Sequence, residues 1–265
     1  MSPFVPVSTA LAQHLRCPAT YAERLSVRGR AVECGDCGRR WPQTHGVLDL
    51  LADGASRPVP AQRVMESTIY SLGYETLFRP RLTRIVTRQG IPDAIDLHRA
   101  MLRLRGVSTV LDVACGTGNF TRAIAAEAPD ALVIGVDRSW PMLREAARLA
   151  PGGDWVRCDA VQLPFRDASM DRVHCSGALH LFDDVDAVLR EFHRVLRPDG
   201  RLVVGTFVEA SNARVRRLQR FNERWSGFRF FGQQALRALL STTGWVCEEE
   251  VFEDAAISFA ARRAS

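Results

Sequence analysis

The chain has 265 residues, of which 46% are hydrophobic and 25% are charged, and it carries a formal net charge of +5. This composition is typical of a globular protein whose core is large enough to fold without disulfides. All 35 basic residues are arginines, which excludes mechanisms that need a lysine base or a lysine Schiff base.

Neither a membrane anchor nor a secretion signal is expected. No apolar run approaches the roughly 18 residues of a membrane-spanning helix, and the first residues lack the basic start and apolar stretch of a signal peptide. We therefore expect a cytoplasmic protein, as a monomer or homodimer. In that reducing setting, clustered cysteines indicate a metal site rather than disulfides.

Three parts follow one another along the chain. Residues 1–53 are turn-rich and hold three of the seven cysteines, and residues 54–106 are interpreted as a linker and helical lid. From 107 to 265, apolar strands alternate with helices, which predicts an α/β fold with a parallel sheet. Strands are predicted at 109–113, 132–136, 155–158, 170–175 and 200–207, helices at 120–128, 141–149, 184–196, 211–225 and 232–242, and a final hairpin at 244–252 and 256–261.

A glycine-rich turn follows the first of these strands, in Asp112-Val-Ala-Cys-Gly-Thr-Gly118. Gly116 and Gly118 would let the backbone approach a ligand closely, and the following helix start supplies free N–H groups. Thr121 stands where a dinucleotide fingerprint would have its third glycine. Asp112 is placed where its carboxylate can face an ammonium group.

Two more acids stand at or after the ends of the following strands. Asp137 can bind both hydroxyls of a ribose, and Asp159 can accept from an adenine amino group. Each acid alone could simply cap a helix, but the three in order predict a site for S-adenosylmethionine (SAM). The predicted donor-binding residues are Asp112, Ala114, Cys115, Gly116, Thr117, Gly118, Asp137, Arg138, Met142, Asp159, Ala160 and Ser176.

Several segments resemble one protein family. The loop from Asp112 to Gly118, together with Leu163-Pro-Phe165 and the stretch that ends at Gly200, resembles the UbiE-type core of class I SAM-dependent methyltransferases. The stretch from Asp171 to His180 is similar to a narrower group of bacterial and chloroplast methyltransferases that begin with a zinc-ribbon-like segment. The resemblance implies a Rossmann-like, seven-stranded sheet with a terminal antiparallel hairpin, preceded by that segment.

The early cysteines resemble such a ribbon, which binds zinc through two Cys-x-x-Cys pairs. Cys17, Cys34 and Cys37 are present, but Thr20 occupies the fourth cysteine position. Because a structural zinc wants four ligands, His14 is the predicted fourth ligand, with His45 as the other candidate. The alternative is a ribbon that has lost its metal and is held by packing.

His180 is the candidate general base, because it follows the strand that borders the methyl group in this family, and a neutral imidazole suits deprotonation near pH 7. Alternatively, it only packs or binds the donor. The predicted acceptor pocket comprises Tyr70, Tyr74, Phe78, His180 and Phe207. His98, in the segment before the core, either lines that pocket or packs a helix, and His174 is interpreted as buried structure.

The leading functional hypothesis is O- or C-methylation of a small secondary-metabolite or quinone-like acceptor. One alternative is RNA modification of the rRNA guanine methyltransferase type, although the acidic core argues against a nucleic-acid partner. Another is a SAM-bound cyclase or other protein that transfers no methyl group. The expected cofactors are SAM and a structural zinc ion.

Overall fold

The computed structural model describes residues 6–52, 91–226 and 228–264. Within these described ranges, eleven strands form one sheet in the order β1-β2-β3-β4-β7-β6-β5-β8-β9-β11-β10. In chain order the strands are β1 Leu25–Val27, β2 Ala31–Cys34, β3 Arg40–Thr44, β4 Val47–Asp49, β5 Thr109–Val113, β6 Leu132–Asp137, β7 Asp154–Arg157, β8 Met170–Ser176, β9 Leu196–Phe207, β10 Trp245–Glu253 and β11 Ala256–Arg263.

Strands β5 to β9 form the parallel centre of the sheet, with β5 in the middle between β6 and β8. All five residues of β5 are buried, as expected where both faces of the sheet are covered. The hairpin β10–β11 adds antiparallel strands beside β9. The predicted Rossmann-like sheet with a terminal antiparallel hairpin is thereby confirmed.

The sheet does not stop at seven strands, so that part of the expectation was wrong. Strand β4 pairs in parallel with β7, with Val47 opposite Trp155, and β1 to β3 continue from it as an antiparallel ribbon. The open side of β7 presents backbone groups that need partners, and the N-terminal segment supplies them. Its apolar residues, such as Leu15 and Leu48, belong to the same core cluster as those of β5 to β9.

The helices cover the sheet. Where a helix was predicted, its first and last residues agree with the prediction within about two residues. They are α1 Thr9–His14, α2 Ile91–Leu102, α3 Asn119–Glu127, α4 Trp140–Leu149, α5 Val185–Val195, α6 Ala213–Ser226 and α7 Gln233–Thr242, with a 3-10 turn at Leu179–Leu181. Ser139 and Asp184 accept bonds from backbone N–H groups at the starts of α4 and α5, as N-cap residues do. Strand β9 starts earlier than predicted, at Leu196, and its register against β8 shifts before Arg201.

Helix α2 is the part of the predicted lid segment that the structure describes. It packs against β9, β11 and α3, and its His98, Met101 and Leu102 are buried. This part is therefore a covering helix of the sheet. Tyr70, Tyr74 and Phe78 lie outside the described residues. Within the described ranges, no helix combines the length and apolarity needed to cross a bilayer.

Candidate active site

A cavity of about 470 Å³ lies where β5, β6 and β8 end and includes the turn after β7. Carboxyl ends of parallel strands meet at one edge of a sheet, and ligand sites of such folds lie there. Of the predicted donor-binding residues, all except Thr117 and Gly118 line this cavity. The lining residues that the sequence did not single out include Leu181, Phe182, Asp183, Asp184 and Ala187.

These additional lining residues come from the turn after β8 and the start of α5. The sequence could have indicated these residues by their position alone, because the loop after β8 opens at the same edge of the sheet as the glycine-rich loop. Asp183 and Asp184 are exposed, and they contribute two carboxyl groups to the cavity wall.

Asp112 is the fourth residue of β5 and is only 1% exposed. One carboxylate oxygen lies 2.7 Å from His174 Nδ1, and the other accepts a bond of 2.5 Å from the Thr121 hydroxyl. An imidazole nitrogen and a hydroxyl therefore orient the carboxylate.

Asp137, at the end of β6, is bound into the glycine-rich loop. Its two carboxylate oxygens accept from the backbone N–H groups of Gly116 and Ser139, each at 2.8 Å. Burial raises the pKa of Asp137, although the backbone bonds act against this shift. Gly116 has a φ of +57°, a conformation in which a residue without a Cβ is unstrained.

Asp159 follows β7 and forms an ion pair of 2.8 Å with Arg138. Among the described residues that line the cavity, Arg138 is the only cation, whereas five carboxyl groups line it. A cavity with this charge balance favours a cationic ligand.

Gly118 does not line the cavity, and the structure gives it another role. A Cβ at this position would lie 2.4 Å from Cη2 of Trp155, and its φ is +80°. The glycine is therefore required by the indole beneath the loop and by its own backbone conformation.

His180 does not line the cavity either, although its neighbours Ala178 and Leu181 do. Its ring lies 4.5 Å from Phe207 and stacks at 5.2 Å on Phe228, and Phe230 packs beside them. We call His180, Phe207, Phe228 and Phe230 the aromatic cluster. Burial lowers the pKa of His180 to about 3. Phe228 and Phe230 were missed because they precede α7 in a segment without periodic pattern.

The three early cysteines come together at the ribbon. Their sulfur atoms lie within 4.8 Å of one another, and those of Cys17 and Cys37 are 3.7 Å apart. Two thiolates about 2.3 Å from a tetrahedral zinc would be about 3.8 Å apart, so this pair fits the ion. The Thr20 hydroxyl lies 4.0 Å from the sulfur of Cys34.

Neither predicted histidine ligand joins this cluster in the described part of the chain. His14 lies instead near Ser169 and Arg197, and its pKa is lowered mainly by burial. His45 is exposed in a turn. Burial raises the pKa of Cys34, but bonds from the backbone N–H groups of Cys37 and Asp36 outweigh it and bring the pKa to about 7.

A family described as a methyltransferase domain matches residues 111–204. The match runs from β5 through most of β9 and includes the glycine-rich loop and the turn after β8.

Two curated relatives extend this likeness. A chloroplast protein of Arabidopsis thaliana, described as an uncharacterized methyltransferase, is 30% identical over 197 residues, 68% of this chain and 54% of that protein. The ubiquinone/menaquinone biosynthesis C-methyltransferase UbiE of Desulfotalea psychrophila is 42% identical over 100 residues, 37% of this chain and 41% of that protein. The chain thus spans about half the length of these two relatives.

A solved structure shares the fold. The crystal structure of the cyclase SpnF superposes with a TM-score of 0.61 at 20% identity and covers 79% of this chain and 99% of that chain. At this identity the likeness concerns the fold alone.

Proposed function

We propose that the chain, whose residues 111–204 match a methyltransferase domain, is a class I methyltransferase that transfers a methyl group from SAM to a small, apolar acceptor. The observation that carries the proposal is the charge of the cavity, where Asp112, Asp137 and Asp159 line one space with a single arginine. SAM bears a sulfonium and an ammonium group, and such a space favours this cation over neutral nucleosides.

Each end of the donor has residues that fit it. Asp112 would hold the ammonium group and Asp137 the ribose hydroxyls, whereas Asp159 and Ala160 would hold the adenine with Met142 packed on the ring. When bound, the sulfonium supplies a methyl group that is already activated for in-line displacement. The chain therefore has to position the acceptor and exclude water.

The acceptor side of the site is argued from the aromatic cluster. Phe207 ends β9, next to β8 whose following turn lines the cavity, and His180 stands within that turn. Aromatic walls favour flat apolar rings, which pack on them face or edge. Because its pKa is about 3, the His180 imidazole is uncharged at neutral pH and a weak base. We propose that it forms part of the acceptor wall, and its role as general base stays a prediction.

A structural zinc in the ribbon is a separate part of the proposal. Cys17, Cys34 and Cys37 would supply three thiolates, and the Thr20 hydroxyl or a water molecule the fourth ligand. The ion would tie α1, β2 and the turn after it together. It would have no part in methyl transfer, because the ribbon cysteines lie outside the cavity lining.

Donor binding and transfer test the proposal directly. Purified chain is titrated calorimetrically with SAM and S-adenosylhomocysteine (SAH) and then incubated with SAM and a panel of phenols, hydroquinones and prenylated quinols while SAH is measured. We expect the wild-type chain to bind SAM with micromolar affinity and to release SAH with at least one ring-bearing acceptor. Asp137→Asn should bind SAM roughly tenfold more weakly, whereas the exposed control Asp130→Asn should bind it as the wild type does. Absence of SAM binding at millimolar concentration would overturn the proposal.

The remaining outcomes distinguish the alternatives. Methyl transfer to RNA and to no small acceptor would favour the RNA hypothesis. Tight SAM binding without SAH release from any acceptor, together with turnover of a polyene, would favour a cyclase.

A further inference from the structure

A row of hydrogen-bonded side chains runs from the cavity to the far side of the sheet. His174 Nδ1 lies 2.7 Å from Asp112, His174 Nε2 lies 2.8 Å from His98 Nδ1, and His98 Nε2 lies 2.9 Å from the hydroxyl of Ser258. We call Asp112, His174, His98 and Ser258 the histidine row. Its members come from β5, β8, α2 and β11, and both histidines are buried.

When both buried rings are neutral, the donor and acceptor of each hydrogen bond in the row can be assigned. A carboxylate only accepts, so His174 donates from Nδ1 and its Nε2 must accept. His98 therefore donates from Nδ1, and its Nε2 accepts the hydroxyl proton of Ser258. Each donor points toward Asp112, so the row has one direction.

The surrounding structure makes room for the row and covers it. A Cβ on Gly205 of β9 would lie 2.7 Å from Cε1 of His98, so only glycine lets the His98 ring reach His174. The ring of Phe120, which also lines the cavity, lies 4.7 Å from His174 and 5.2 Å from His98. This cover keeps bulk water away from the bonds, and they gain strength in such a medium.

The row leaves the charge of Asp112 available. The imidazole of His174 and the hydroxyl of Thr121 each donate one bond to it, whereas Asp159 faces the guanidinium of Arg138. A guanidinium in place of His174 would orient the carboxylate equally well but would compete with a cationic ligand for its charge. With neutral rings, as in the proton assignment above, the imidazole and the hydroxyl orient the carboxylate without that competition.

We propose that His174 and His98 are positioning residues that aim the charged Asp112 at the ammonium end of the methyl donor. The proposal rests on the proposed SAM site. It gives a role in ligand binding to His98 and His174, which are 76 residues apart in the chain.

Two matched substitutions of one residue test this role. The amide nitrogen of Asn can take the place of Nδ1 of a histidine as a donor, whereas the amide oxygen of Gln can take the place of Nε2 as an acceptor. His174→Asn therefore keeps the donor to Asp112 and loses the bond to His98, and His174→Gln does the reverse. A merely structural role predicts similar effects of the two polar variants.

The readout is the ratio of two affinities. SAH carries the ammonium group, whereas 5′-methylthioadenosine has the same nucleoside without the amino-acid end. We expect His174→Gln to weaken SAH binding roughly tenfold, as for loss of one hydrogen bond to a charged group, with 5′-methylthioadenosine binding changed less than twofold. His174→Asn should stay within threefold for both, and the control His193→Gln, outside the row, should change neither.

Equal weakening of both ligands by His174→Gln, or no change in either, would overturn the positioning role. If neither His174 variant folds, Ser258→Ala serves as the test. We expect it to lower the ratio of SAH affinity to 5′-methylthioadenosine affinity two- to threefold. An unchanged ratio would overturn the positioning role. Wild-type chain that binds neither ligand nor SAM would instead sink the proposed function itself.

Discussion

The indole of Trp155 lies against Gly118, at a place where a Cβ would come within 2.4 Å of its Cη2 atom. The same ring approaches Gly135 of β6 equally closely, and it belongs to a cluster with Val47 and Cys115. Trp155 thus joins the glycine-rich loop to the N-terminal ribbon, since Val47 lies on β4 opposite Trp155. The packing of a buried tryptophan supports the loop from below.

Replacing Gly118 by alanine should therefore destabilise the fold strongly. The methyl group would clash with the indole and would also require a left-handed backbone of an L-residue, so we expect a loss of about 2–4 kcal/mol. Chemical denaturation measures it. Gly152→Ala is the control, because Gly152 also has a positive φ but no atom within 4 Å of its Cβ position, and it should lose only about 1 kcal/mol.

The effects of Trp155→Leu and Gly118→Ala on the free energy of unfolding should be less than additive. The smaller side chain removes the clash, so the double variant should lose less than the sum of the two single variants. Strict additivity would show that Trp155 is not what requires the glycine.

Asp154, at the start of β7, should make stability depend on pH. Burial raises its pKa from 3.8 to about 6, so the folded state binds more protons than the unfolded chain between these values. The contribution of Asp154 to the free energy of unfolding then falls as the pH rises from about 4 to about 6 and stays low above that.

Asp154→Asn should accordingly stabilise the protein above pH 6, by on the order of 1–2 kcal/mol after allowance for partial exposure, and should have little effect near pH 4. Unfolding curves from pH 4 to pH 8 test this, with exposed Asp130→Asn as the control. A gain from Asp154→Asn that does not vary with pH would contradict the assignment.

His180→Phe should leave the shape of the pH–rate profile unchanged. With a pKa of about 3, the imidazole is uncharged from pH 5 to pH 9 and contributes no inflection there. We expect SAH affinity within twofold of wild type and a several-fold higher KM for the acceptor, because we propose that the ring forms part of the acceptor wall.

The measurement is kcat/KM against pH for both proteins, with Thr206→Val as a control that removes only the hydroxyl near the ring. A wild-type limb with an apparent pKa between 6 and 7 that vanishes in His180→Phe would establish the general base instead.

Zinc should bind the ribbon, and removal of the metal should destabilise the chain. Metal analysis of purified protein should give about one zinc ion per chain, and a chelator should lower Tm by several degrees. Thr20→Cys supplies the missing fourth thiolate and should raise the zinc affinity at least tenfold.

Cys247→Ser, outside the cluster, serves as the control and should keep the zinc content. If protein that was grown and purified with added zinc contains no zinc, and if its Tm does not depend on the metal, then the ribbon is held by packing alone.

The sequence by itself determined the strands of the central sheet and the edge at which the site lies. Asp112 and Asp137 could be placed together because buried parallel strands have continuous apolar patterns and their carboxyl ends meet. Local spacing also indicated the cluster of Cys17, Cys34 and Cys37, because two of them stand three residues apart.

Only the tertiary structure decided which distant residues meet. The pairing of β4 with β7, the packing of Trp155 against Gly118 and the contact of His98 with His174 join segments far apart in the chain. Local patterns report burial and backbone conformation, whereas these contacts depend on the shapes of surfaces that exist only after the sheet has formed. For that reason the sequence did not show that Gly118 packs against an indole, or that a histidine of the predicted lid lies two hydrogen bonds from Asp112.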